Sequence, residues 1–371
     1  MKTAVLVYLA YFTAGTVGGF IGITKQEAMK SVTVRLVQKE WRPQGYDPGT
    51  DEPLHSFPGT YEELLQIFKT YNQKFDYVSE PLTHATNLFY DPNYDESKPL
   101  VMVTHPIAIG DSTFIAMVIA GLAIRNLQKH YNVFAMHAPM LSVQIQTSCA
   151  RVALGLDPML KPVAEAFASF MLEGIKLGKL TPSQINFIGF SYSATLNAYI
   201  AREIRDNTGL LAHTLLSLDA FQYNHDNPYF KPVSKEDAMF VHMFHTSGKL
   251  TGTQARIGTV DIVINNGYFQ PGCGKQVNKG VGCSHRRSVA VFLLSLVATG
   301  SVVARRCDSW EDFNQCKCSD PANPLLVVSF PVNEEVTGTF YVRTKGILPF
   351  VLSSQGAYCE AEAKVPHFYK K

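Results

Sequence analysis

Gly189-Phe190-Ser191-Tyr192-Ser193 sets a serine between small residues two positions to either side. Such spacing lets a strand and a helix meet closely at a sharp turn, with the hydroxyl exposed at its apex. A serine hydroxyl becomes a nucleophile when a neighbouring base takes its proton, and the base needs a carboxylate to fix its tautomer. The chemistry would be acyl transfer: attack on a carbonyl, a covalent ester, then hydrolysis. Asp219 follows Leu216-Ser217-Leu218 and is the candidate carboxylate. Several histidines lie downstream, among them His225, His242, His245 and His285, and spacing does not choose among them. The five-residue pattern is common by chance, and a carboxylate after a strand is often only a turn or a cap. The surrounding elements therefore decide the reading.

Gln184 to Phe190 reads as a strand and Tyr192 to Arg205 as a helix, which puts Ser191 between them. Leu215 to Leu218 is the next strand, so Asp219 falls at a strand's carboxyl end, where sites of open parallel sheets lie. Upstream, Pro99 to Thr104 and Asn132 to Met136 read as strands, with a helix expected from about Thr113 to Lys129. A long helical stretch from about Leu141 to Gly178 is expected to break at Pro158 or Pro162. Downstream, Phe240 to His245 and Gly258 to Ile264 read as strands, and Ser288 to Ala304 as a buried helix. Leu325 to Val332, Gly338 to Arg343 and Ile347 to Leu352 read as a short β end. Nearer the start, Ser31 to Val37 alternates like a strand and Tyr61 to Phe75 has helical periodicity. Alternation of strands and helices predicts parallel βαβ units, an α/β fold covered on both faces. The chain order Ser, Asp, His is that of the α/β-hydrolase fold.

The composition agrees with a packed domain. The chain has 371 residues, 46% hydrophobic and 17% charged, which excludes wholesale disorder. A net charge of +2 is too small for nucleic-acid binding through phosphates. Met1-Lys2, the apolar run Ala4 to Phe12 and the small residues Ala14, Gly15, Gly18 and Gly19 read as a secretory signal over residues 1–22, with an uncleaved anchor as the alternative because the low-polarity run reaches about Ile23. Six of the seven cysteines lie in the last hundred residues. With a secretory start, that clustering favours disulfides over metal, and Cys316-Lys317-Cys318 is too tight for a usual zinc site.

A resemblance to a family is carried by the second half of the chain. Asp237-Ala238-Met239-Phe240-Val241-His242-Met243-Phe244-His245-Thr246-Ser247-Gly248 resembles a segment of the pancreatic-lipase family. Ile257 to Asp261 and Asn265-Asn266-Gly267-Tyr268-Phe269-Gln270-Pro271-Gly272-Cys273 resemble the next stretch of that family, and Cys283-Ser284-His285-Arg286-Arg287-Ser288 resembles its histidine signature. The similarity runs from about residue 85 to 352, and the block from Asn265 to Ser288 is its most specific part. The resemblance implies an α/β-hydrolase domain over 85–352, after a divergent segment 23–84 and before a tail 353–371. It implies Ser191 as nucleophile, His285 as base and then acid, and Asp219 as the group that orients the imidazole. It implies an oxyanion hole made by the backbone N–H groups of Tyr192 and Ile107, a lid disulfide Cys273–Cys283 and a second disulfide Cys307–Cys318. Cys316 is left to Cys359 or Cys149.

This chain departs from the family's pattern at several places. Thr104-His105-Pro106-Ile107 stands where the family has His-Gly before an apolar residue, Asp219-Ala220 replaces Asp-Pro, and Ser193 replaces a glycine. His105 and His137 match no reacting position and read as structural. Nine residues separate Cys273 from Cys283, and the loop after His245 is short. In the family, short lids accompany phospholipases A1, because a shorter roof leaves room for a polar headgroup. The expected substrate is thus a phospholipid, cut at its sn-1 ester on a lipid surface without cofactor or metal. A triglyceride lipase and a non-catalytic lipid-binding relative are the alternatives. About twenty residues follow Phe350, too few for a β-sandwich of roughly 100 residues, so no colipase is expected.

Overall fold

The computed structural model describes residues 24–31, 33–37, 77–104, 129–137, 160–221, 231–248, 251–273, 277–297, 300–320, 322–347 and 350–363. The elements, in chain order, start with α1 (Lys25–Ser31), β1 (Thr33–Val37), β2 (Tyr77–Pro81), β3 (Leu100–Thr104), β4 (Asn132–His137) and α2 (Leu160–Lys176). β5 (Ile185–Phe190), α3 (Tyr192–Thr208), β6 (Ala212–Leu218), β7 (Ala238–His245), β8 (Val260–Ile264) and α4 (Val277–Val297) come next. β9 (Val303–Arg306), α5 (Trp310–Asn314), β10 (Leu325–Val327), β11 (Gly338–Val342) and α6 (Glu360–Ala363) close the chain.

All the strands among the described residues join one sheet of eleven, in the order β10-β9-β11-β8-β7-β6-β5-β3-β4-β1-β2. From β4 across to β11 every pairing is parallel, and β1, β2, β9 and β10 pair antiparallel at the two edges. β1 and β2 come from the part of the chain that resembles the family least, yet they complete one edge of the same sheet.

Alternating residues on the central strands face two separate cores. Leu100, Met102, Ile185, Phe187 and Leu215 pack beneath α2 and α3. Val101, Val103, Ile188, Phe190, Leu216 and Leu218 face the other way, against Val289, Phe292, Leu293 and Leu296 of α4. Period-two alternation within continuously apolar strands is what a sheet covered on both faces requires. Each fully buried Leu or Phe contributes about 1.5–3 kcal/mol. This is the α/β-hydrolase architecture expected.

Several elements differ from their sequence reading. The helix expected over Ser288–Ala304 is α4, which begins at Val277 and ends at Val297. Gly280 and Gly282 obscure its start, and Gly300 (φ 80°) breaks the chain before Val303 and Ala304 enter β9. His285 therefore lies within a helix rather than before one. Leu325–Val332 is a strand only to Val327. Ile347–Leu352 forms no strand among its described residues. The strand expected from Ser31 starts at Thr33, because Ser31 ends α1. Pro162 sits in the first turn of α2, where an absent N–H breaks no helical bond. The helices expected over Tyr61–Phe75 and from Thr113 fall outside the described residues, as do residues 1–22.

Candidate active site

Ser191 alone connects β5 to α3, so the whole reversal falls on one residue. Its backbone has φ 59° and ψ −127°, a conformation that costs a non-glycine residue about 1–3 kcal/mol. Hydrogen bonds hold it there: Ser191 N–H donates to the Leu218 carbonyl at 3.0 Å, and the Ser191 carbonyl accepts from Ala194 at 3.1 Å. Ser191 occupies the N-cap of α3, yet its side chain makes no capping bond. The hydroxyl is left for another use. Gly189 is required by space: a Cβ there would lie 2.8 Å from the backbone of Ala194 and 2.6 Å from Asn197 Nδ2. Ser193, which replaces the family's second glycine, is fully buried within α3.

Asp219 follows β6 as Ser191 follows β5, again with positive φ (51°). It is 1% exposed, so its charge must be met by protein groups. Oδ1 accepts the backbone N–H of Thr246 at 2.8 Å and of Ser247 at 3.2 Å. Oδ2 accepts the Ser247 hydroxyl and His285 Nδ1–H, the latter at 2.6 Å. Thr251 Oγ1 lies 2.7 Å from Ser247 Oγ, and the Gly252 N–H donates to Ser247 Oγ at 3.2 Å. Burial pushes the Asp219 carboxyl up, but the bond and charge of His285, the Ser247 hydroxyl and the Thr246 amide outweigh it. The carboxyl is held below its ordinary value. A lasting carboxylate at Nδ1 fixes the imidazole tautomer and leaves Nε2 as the basic nitrogen.

His285 lies in the third turn of α4, and its ring rests on Phe190 with centroids 4.4 Å apart. Phe190 precedes Ser191, so the imidazole, the carboxylate and the serine turn meet at the ends of β5, β6 and β7. α4 is anchored from both sides. The Cys273–Cys283 disulfide ties its second turn to the preceding loop. Arg287 donates to the carbonyls of Lys345 and Pro271, both at 2.9 Å, and lies over the Phe350 ring. Burial lowers the Arg287 pKa to about 10.

The Asn265–Cys273 block has a physical role in this arrangement. Gln270 Nε2 donates to the Thr246 carbonyl at 3.0 Å and to that of Ile264 at 2.9 Å, while its own N–H donates to Ser284 Oγ at 3.1 Å. One buried residue, through its side chain and its backbone N–H, thus links the loop that binds Asp219 to the residue before His285. Asn265 Nδ2 donates to Gln270 Oε1 at 2.7 Å and to Thr344 Oγ1 at 2.8 Å, which extends the network to the end of β11.

The structure brings Ser191, Asp219 and His285 to one edge of the sheet, and Tyr192 opens α3 beside Ser191. Ile107 lies outside the described residues, with His105 and Pro106. Cys307 pairs with Cys318, and Cys316 pairs with Cys359. His242 and His245 lie in β7 and are buried, and neither touches Asp219 or His285 directly. Sequence reasoning missed Ser247, Gly252 and Gln270. Ser247 and Gln270 stand inside two of the blocks that carry the family resemblance, which was the available signal. No group of three His, Cys, Asp or Glu is placed to hold a metal ion among the described residues.

A family model described as Lipase matches residues 158–350, more than half of the chain and all three of these residues. The phospholipase A1 of Vespa crabro is 36% identical over 191 residues, covering 49% of this chain and 57% of that protein. Phospholipase A1 member A of Bos taurus is 29% identical over 167 residues, covering 43% and 34%. Lipase member H of Danio rerio is 29% identical over 141 residues, covering 37% and 30%. The chain thus spans between about a third and little over half of the length of these relatives.

Proposed function

The chain belongs to the lipase family, and from that premise we propose that it is a secreted serine ester hydrolase, a phospholipase A1 cutting the sn-1 ester of phospholipids. The observation that carries the reading is the 2.6 Å bond from His285 Nδ1 to buried Asp219, formed beside a strained serine turn. Ser191 Oγ attacks the ester carbonyl while His285 Nε2 takes its proton. The Tyr192 N–H, at the N-terminal end of α3, and the Ile107 N–H stabilise the oxyanion. The tetrahedral intermediate collapses, His285 gives its proton to the departing glycerol oxygen, and an acyl-Ser191 ester remains. Water, deprotonated by His285, attacks that ester and releases the fatty acid.

The lid supports a phospholipid substrate. α4 begins at Val277, so most of the nine residues between Cys273 and Cys283 belong to a helix. Little chain is left for a separate flap, which leaves room for a polar headgroup. The loop between β7 and β8 carries the Asp219 contacts and is short as well. Phospholipase A1 in two relatives' names points the same way. The carboxylate, the imidazole and the hydroxyl supply the chemistry without a cofactor.

The test uses a phosphatidylcholine with different acids at sn-1 and sn-2 and identifies the released acid by mass spectrometry. Release of the sn-1 acid, abolished by Ser191→Ala in a folded chain, is the expected result. No release from folded wild-type protein, or release unaffected by S191A, refutes the proposal.

A further inference from the structure

A second His–Asp pair lies beside the first and takes no part in the steps above. His245 ends β7 and is fully buried; Asp261, on β8, is 3% exposed. His245 Nε2 stands 2.7 Å from Asp261 Oδ1, and Nδ1 stands 2.9 Å from the Thr253 carbonyl. Both partners are acceptors when Asp261 is ionised, so each ring nitrogen donates a hydrogen. Asp261 Oδ2 is occupied in turn by the Gly258 N–H at 3.2 Å. Other titratable groups facing Asp261 are His242 from β7 and Tyr341 from β11, with Arg256 beside the tyrosine.

The consequence lies in what each end of this bridge touches. The two residues after His245 supply the amides that bind Asp219 Oδ1. Thr253, held by the ring, donates its N–H to the carbonyl of Ala220 at 3.0 Å, next to Asp219. Gly252, one residue earlier, is packed against the Asp219 carboxylate. Residues 246–247 and 252–253 therefore collar the acid, and the His245 ring ties the second of these segments in place. We propose that His245 is a positioning residue whose ring hydrogen bond to the Thr253 carbonyl sets the Asp219 carboxylate against His285. The proposal rests on the triad reading above and deepens it.

Two substitutions separate the ring's two contacts. His245→Asn keeps a donor near the position of Nδ1 and so keeps Thr253. His245→Gln keeps one near Nε2 and so keeps Asp261. The assay is kcat and KM on a soluble ester, together with the far-downfield proton resonance of His285 Nδ1–H, assigned by its loss in His285→Ala. The expected result is a kcat at least tenfold lower in H245Q with KM within twofold, and a shifted or broadened resonance. H245N is expected to stay within threefold in kcat and to keep the resonance. Equal kcat in the two folded variants, or an unmoved resonance in H245Q, overturns the proposal. Should H245N fail to fold, the H245Q resonance decides the matter in the same sense. Because that signal is read without substrate, the positioning role is tested even if wild-type protein cleaves no ester.

Discussion

Gly252→Ala adds one methyl group, and the structure says where it goes. A Cβ at this position would lie 2.4 Å from Asp219 Oδ1, 2.6 Å from Cγ and 2.8 Å from Oδ2. Ordinary contact begins at 3.4 Å, so the carboxylate or the loop must shift by about 1 Å. Gly252 is not among the positive-φ residues, so alanine fits the backbone and the effect is purely steric. The carboxylate has little freedom to rotate away, because Oδ1 holds two amides and Oδ2 holds Ser247 and His285. The loop is pinned as well, by the Gly252 N–H to the Ser247 carbonyl at 3.2 Å. A shift of that size takes the 2.6 Å bond to His285 past the range of a good hydrogen bond, near 3.2 Å. Misplacement on this scale costs on the order of 100-fold in rate, about 2.7 kcal/mol. Overpacking adds a loss of about 1–3 kcal/mol in stability. Steady-state kinetics on a soluble ester should show kcat down about 100-fold with KM nearly unchanged, and urea unfolding should show the lower stability. A kcat within twofold of wild type in a natively folded G252A would refute the idea that the loop presses on the carboxylate.

Other positions give three further outcomes. Gly209→Ala is the converse case: Gly209 caps α3 with φ 74° and nothing lies within 4 Å, so urea unfolding should show a loss of about 1 kcal/mol while kcat stays unchanged. His242 is buried with Nε2 unpartnered, and burial lowers its pKa to about 4 from 6.5, with Asp261 opposing. The unfolded chain binds that proton first, so stability should fall as pH drops from 6.5 to about 4, by on the order of 3 kcal/mol; His242→Leu should remove much of that slope in chemical denaturation at stepped pH. Asp219 has a folded pKa below the ordinary 3.8, so its contribution is present above 3.8 and lost as pH falls through the lower folded value; Asp219→Asn should flatten that part of the acid-unfolding curve, and an unchanged curve would contradict the lowered value.

How much of this was legible before the fold was known depends on where the information resides. Ser191, Asp219 and the strands before them could be read because a continuous apolar run bounded by one polar residue is a local signal. His285 could not be chosen by spacing, since it reaches Asp219 only through the packing of α4 on Phe190, Leu216 and Leu218. The family resemblance supplied it. The start of α4 was missed because Gly280 and Gly282 are poor helix formers, and here the disulfide at Cys283 and tertiary packing override propensity. The partner of Cys316 stayed open because cysteine order does not encode connectivity. Half of the bonds to the Asp219 carboxylate come from backbone amides, which every residue but proline carries, so no side-chain pattern announces that part of the cradle. His245 is one of several histidines among which spacing does not choose; the polar bridge it makes requires Asp261, sixteen residues away, to lie on the adjacent strand.

The strain at the site and the hydrogen-bond ladder of the sheet belong to one arrangement. Three of the non-glycine residues with positive φ come directly after parallel strands: Ser191 after β5, Asp219 after β6 and Asn265 after β8. Each donates its N–H to a carbonyl at the end of the neighbouring strand: Ser191 to Leu218 at 3.0 Å, Asp219 to Phe244 at 3.0 Å and Asn265 to Val342 at 2.8 Å. The ladder therefore runs one step beyond the strands, into the residues that turn the chain. A left-handed turn costs about 1–3 kcal/mol, and each such bond returns about 1 kcal/mol net. Burial supplies the remainder, because an Asp219 N–H or Asn265 N–H released from its partner would be left unsatisfied beneath the loops. Relaxing any one turn thus breaks a bond to the next strand. Parallel strand order is what makes this possible: β5, β6, β7, β8 and β11 all present their carboxyl ends at one edge. A serine, an aspartate and an asparagine far apart in the chain are thereby fixed in a row at the lip of the sheet, with His285 packed above them.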